Sequence, residues 1–107
     1  MTAPAGYQAL ADVLAEALSQ AADGKGRDRH AQGDTPFDRQ PICEIARMCG
    51  PGFQVGQAMK KGQEALRLPP GHDEHELLGA INYLAAAVIV LRERRAASVA
   101  ETAGAGR

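Results

Sequence analysis

The run LLGAINYLAAAVIVL, residues 77–91, constrains this chain more than any other stretch. Leu77, Ile81, Leu84, Val88 and Leu91 step by four and three, a heptad-like seam on a helix. Leu78, Ala85 and Ile89 make a second line, and Ala80, Tyr83, Ala87 and Val90 a third. A helix apolar on nearly every side demands cover on nearly every side. Asp73, Glu74 and Glu76 before the run, and Arg92, Arg94 and Arg95 after it, match the helix dipole, with Asp73 placed to cap the first amides. The predicted helix spans about residues 73–96. Its fifteen-residue apolar run reaches about 22 Å, short of the roughly 30 Å of a bilayer core. Gly79 and Asn82 interrupt it as well. A soluble protein with no membrane partner is the expectation.

Three shorter helices precede it. Leu10, Val13, Leu14, Ala17, Leu18 and Ala21 give one apolar face to a helix over about 5–22, ended by Asp23-Gly24. Pro41 suits the first turn of a helix over about 39–49, whose predicted buried stripe is Ile42, Ile45, Ala46 and Cys49. Gly50-Pro51-Gly52 breaks it. A helix over about 52–68 follows, with Val55, Met59 and Leu66 expected inside and Gly62 on the same line. Gly52, Gly56 and Gly62 each cost this helix about 1 kcal/mol, which close approach of another backbone would offset. Pro69-Pro70-Gly71 then turns the chain back.

The fold class is therefore all-α: a small bundle of about four helices, one domain over residues 5–96, with flexible ends at 1–4 and 97–107. Aromatics make up only 4% of the chain and Trp is absent. The core must be aliphatic, and three modest helices can barely cover the fourth. A second copy of the protein is expected to cover the remainder, as a homodimer or larger assembly. Cys43 and Cys49 stand six residues apart, on different helix faces, and are read as buried free thiols of a reducing cytoplasm. The amino terminus lacks the basic-then-apolar pattern of a signal peptide.

The net charge of −1 excludes a whole-surface nucleic-acid footprint, so any phosphate attraction must be local. The aperiodic stretch 23–38 supplies a candidate. Its GKGRDRH run places Lys25, Arg27, Arg29 and His30 among glycines, whose exposed amides and flanking cations suit a phosphorylated ligand. Asp23, Asp28 and Asp34 dilute that charge, and a solvated loop is the alternative. Lys60 and Lys61 would add to a basic pocket if the loop folds over them; otherwise they form a solvent face. Asn82, on a stripe with His75, Gly79, Ala86 and Glu93, either fixes the register of a self-associating helix or faces a ligand.

Glu44, Glu64 and Glu76 lie on three different helices and are the candidate carboxylates for a divalent ion. His72 and His75 have a spacing compatible with metal only if a cysteine approaches. Ser19 and Ser98 stand apart from every histidine, which leaves nucleophilic catalysis without support. DNA binding has only one lysine pair behind it and is not expected.

The segment Glu74-His75-Glu76-Leu77-Leu78-Gly79-Ala80-Ile81-Asn82-Tyr83-Leu84-Ala85 resembles the helix written EELGDxxYYLxxLA in MazG-type all-α nucleotide pyrophosphohydrolases. Glu76, Gly79 and Tyr83 fall on that pattern, within a similarity covering residues 60–93. The resemblance implies a dimeric helical bundle. It also implies Mg²⁺-dependent cleavage of a nucleotide, but Ala80 stands where a metal-binding Asp belongs, which implies binding without cleavage. The phrases GKGRDRH, QPICEIARMCG and GQAMKKGQEA resemble small phage accessory proteins. The expected function is a non-enzymatic oligomer that binds a nucleotide or other phosphorylated small molecule. The alternatives are a phage-type adaptor or inhibitor of a host protein, and a metal-dependent pyrophosphohydrolase.

Overall fold

A computed structural model describes residues 3–23 and 35–105, with side chains to residue 102. Four α-helices carry the described chain: α1 (Gln8–Asp23), α2 (Pro41–Cys49), α3 (Gly52–Ala65) and α4 (His72–Ala105), with a 3-10 turn at Phe37–Arg39 leading into α2. No strand occurs among the described residues. The breaks fall where the sequence places them. Pro41 occupies the first turn of α2, and Gly71 turns the chain at φ +93°, a conformation that favours glycine. Asp73 Oδ1 accepts from the amides of Glu74 (2.7 Å) and Gly71 (3.0 Å), holding the first turn of α4 in place.

α4 is the spine. It has 34 residues, about 51 Å at 1.5 Å each, and continues to Ala105 rather than ending near residue 96. The Ala-rich sequence after Arg95 has high helix propensity, which explains the added turns. α3 packs along α4 most extensively, with α1 and α2 on its other flanks.

The faces that turn inward differ from those the large apolar residues mark. α3 presents Gln54, Ala58 and Ala65 to the interior, while Val55, Met59 and Leu66 face outward, Leu66 at 85% exposure. α1 buries only Ala17 and leaves Leu10, Val13, Leu14 and Leu18 exposed. α2 buries Cys43 and Ala46, whereas Cys49 is exposed. The physical reason is distance: alanine stripes let helix axes approach more closely than leucine stripes do. The centre of the core is Cys43, Ala46, Ala86 and Val90, with Phe37 and Ile42 packed against it. The glycines of α3 have no neighbour that a Cβ would meet within 4 Å, so close backbone approach within the chain does not offset their cost.

Arg47 ties α2 to α4. Its guanidinium donates to both carboxylate oxygens of Glu93 at 3.0 and 2.8 Å, to Glu44, and to the main-chain oxygen of Asp38. The Arg47 hydrogen bond holds the Glu93 carboxyl below its ordinary value and keeps the guanidinium charged. Burial pushes the Cys43 thiol up, outweighing the nearby Arg47 charge.

Candidate functional site

α1, α2, α3 and the first turns of α4 enclose a cleft of about 400 Å³. Its floor is aromatic and aliphatic, with Phe53 set edge-on against Tyr83 at 6.1 Å between ring centres and 76° between planes. Its polar edge carries Lys61, Glu76, His72 and His75. Lys61 Nζ lies 3.5 Å from Glu76 Oε2 and 5.7 Å from the centre of the Tyr83 ring. Both charged side chains are about three-quarters buried, so their attraction is screened less than a surface pair's.

The Lys61 stem runs over Gly79. A Cβ there would meet its Cδ and Cε at 3.4 and 3.5 Å, an ordinary packing distance, so the stem lies directly on this part of α4 on its way toward Tyr83.

Two amides fasten α1 to this wall. Gln20 Nε2 donates to the main-chain oxygen of His75 at 3.1 Å, and Asn82 Nδ2 donates to that of Ala17 at 3.0 Å. The positions run in opposite order along the two helices, 17 and 20 against 82 and 75, so α1 and α4 are antiparallel. Asn82, Phe37 and Gln40 also border a second, predominantly apolar groove of about 570 Å³ between α1 and α4, walled by Leu14, Leu18, Ile81, Ala85 and Ile89. Asn82 thus secures helix packing within one chain, with its polar atoms between the two hollows.

The candidate residues separate. Lys61, Glu76 and Asn82 meet at the cleft. Lys60 does not join them; it points outward and pairs with Glu64 at 3.9 Å. The polar face read on Lys60 and Lys61 is split, Lys60 at the solvent and Lys61 in the cleft, because α3 places consecutive residues about 100° apart. Lys25, Arg27, Arg29 and His30 lie outside the described residues. The three glutamates do not form a metal centre. Glu44 is held by Arg47, Glu64 by Lys60 and Glu76 by Lys61, and no group of three or more His, Cys, Asp or Glu among the described residues is placed to hold a metal ion. That donor set does not fit Mg²⁺, which calls for several oxygens around one point.

Sequence reasoning overlooked Gln54 and Arg47. Gln54 is fully buried and donates to the main-chain oxygen of Ile42, while its own oxygen has no partner among the described residues. Its place on one stripe with Ala58 and Ala65 was the available signal.

Much of the described surface of α4 is apolar. Leu77, Leu84, Val88 and Leu91, four of the five members of the α4 seam, are 44%, 48%, 45% and 38% exposed. Six of the eight buried apolar residues described are alanines, so the chain's bulkier aliphatic groups remain largely uncovered. By length and composition α4 also meets the criterion for a membrane-crossing helix. α3 lies along the first turns of this helix, with Lys61 against Gly79 and Tyr83.

No protein-family model, curated protein or solved structure matches the chain.

Proposed function

We propose that this chain is a non-enzymatic helical interaction module that acts as a homodimer. The outward-facing seam of α4 carries this reading, together with the exposed leucines and valine of α1. Large apolar side chains left exposed in such number on a soluble protein mark an association site. The free thiols, Cys43 buried and Cys49 exposed, are compatible with a reducing cytoplasm. Light scattering coupled to size exclusion tests the reading: a mass near 22 kDa, twice the 11.2 kDa chain, supports it. A mass of one chain at micromolar concentration overturns it and leaves the face to a different protein, as an adaptor or inhibitor would use it.

A second reading is supported by the cleft. Lys61, aromatic rings and an amide-lined wall suit a small ligand with a flat apolar part and an anionic group, such as a nucleotide. Glu76 offsets the lysine charge, so binding would require the anion to displace that carboxylate. Thermal shift against a nucleotide panel tests it. A rise that Lys61→Met removes supports the cleft, and no rise with any nucleotide rejects it. Hydrolysis is not part of either reading, because the carboxylates stand apart.

A further inference from the structure

We infer that the α4 helices of two copies pair antiparallel, with Leu84 on the two-fold axis; this rests on the homodimer reading above and adds its geometry. The inference comes from a mirror pattern along the exposed face. Leu77 and Leu91 stand seven residues on either side of Leu84, and Asp73 and Arg95 stand eleven on either side. On a helix of 3.6 residues per turn all five fall within a strip about 40° wide. Leu77, Leu84 and Leu91 are exposed within that strip, and Arg95 is exposed at its end.

Antiparallel pairing about Leu84 sets Leu77 against the partner's Leu91 and Leu84 against the partner's Leu84. It sets Asp73 beside the partner's Arg95, at both ends. The rest of the charge follows the same sense, since Glu74 lies at the acidic end and Arg92 at the basic end. Parallel pairing would place acidic end on acidic end and basic on basic, a like-charge penalty at each. Charge complementarity therefore selects both the occupant, a second copy, and its direction. α1 lies on another flank of α4, against Ala85 and Ile89, so it does not obstruct this strip. Leu10, Val13 and Leu14 of α1 are exposed as well.

Cross-linking decides the direction. Leu77→Cys and Leu91→Cys are made separately in a Cys49→Ser chain that keeps the buried Cys43. In the antiparallel dimer position 77 lies about 21 Å along the axis from its own counterpart, too far for a disulfide. Mild oxidation of the mixed proteins should therefore yield the 77–91 disulfide, and each protein alone should yield none. Self-cross-linking of each variant alone, with no mixed product, overturns the proposal in favour of parallel pairing. No disulfide in any sample that scattering shows to be dimeric overturns it in favour of another face. A monomeric parent chain overturns the homodimer reading itself, with flotation on anionic vesicles assigning the face to lipid. Arg95→Glu provides an arm that leaves the seam intact: the dimer should weaken about three- to tenfold at low salt and recover at high salt. No change at low salt counts against the antiparallel arrangement.

Discussion

Asn82 donates its side-chain amide to the main-chain oxygen of Ala17 across 3.0 Å, binding the first third of α4 to α1. Ala17 is the only residue of α1 that is buried. That bond, the Gln20–His75 bond and one small buried contact thus locate a helix whose larger apolar groups stay exposed. Asn82→Ala should lower stability by about 1 kcal/mol, measured by urea unfolding. Amide exchange should quicken in α1 more than in α3, because α3 is packed along α4 independently of this bond. Uniform quickening across the molecule would refute the local role.

Packing of α3 and α2 on α4 depends on small residues. Ala86 is fully buried in the centre of the core, and Ala86→Leu should cost about 1–3 kcal/mol through overpacking. A stability equal to the parent's would show that the interior has room the structure does not contain.

Acid should act on the α2–α4 tie. The folded value of Glu93 is depressed, chiefly by the hydrogen bond from Arg47. Its contribution is therefore complete above the ordinary carboxyl value of 4.5 and is lost as pH falls through the depressed folded value. The melting temperature of the parent should fall in that acid range more steeply than that of Arg47→Gln. Parallel curves for the two proteins would dissociate the pair from the pH response.

The two thiols should react differently. Cys49 is exposed and Cys43 is buried with a raised value, so a disulfide reagent near pH 8 should modify Cys49 rapidly and Cys43 only at the rate of unfolding. Modification of both at one rate would contradict the position of Cys43 in the core. The raised Cys43 value also implies alkaline destabilisation: its contribution is full below the unfolded thiol value and declines as pH rises toward the folded one.

Helix number, order and breaks were legible because Pro41, Gly50-Pro51-Gly52 and Pro69-Pro70-Gly71 act locally, through φ and missing donors. The inward faces of α1 and α3 were not. Periodicity shows which stripe of a helix seeks cover, but not whether the cover belongs to the same chain. In α3 the stripe of Val55, Met59 and Leu66 is the more apolar one, yet Ala58 and Ala65 take the inside because they permit the shorter interaxial distance. Cys49 was misplaced for the same reason. Within the cleft, Lys61 could be singled out by charge and Glu76 by type, but their meeting depends on how α3 rotates against Gly79. The basic loop at 24–34 lies outside the described residues.

Beyond Arg95, every α4 residue described to Thr102 is exposed. These last turns therefore borrow almost nothing from the tertiary structure and hold their shape chiefly by main-chain bonding and alanine propensity. Such a segment melts gradually, as an isolated peptide does. Warming should erode the far-ultraviolet helix signal well below the temperature at which the tyrosine environment is lost, so two spectroscopic probes of one small protein would trace two different curves.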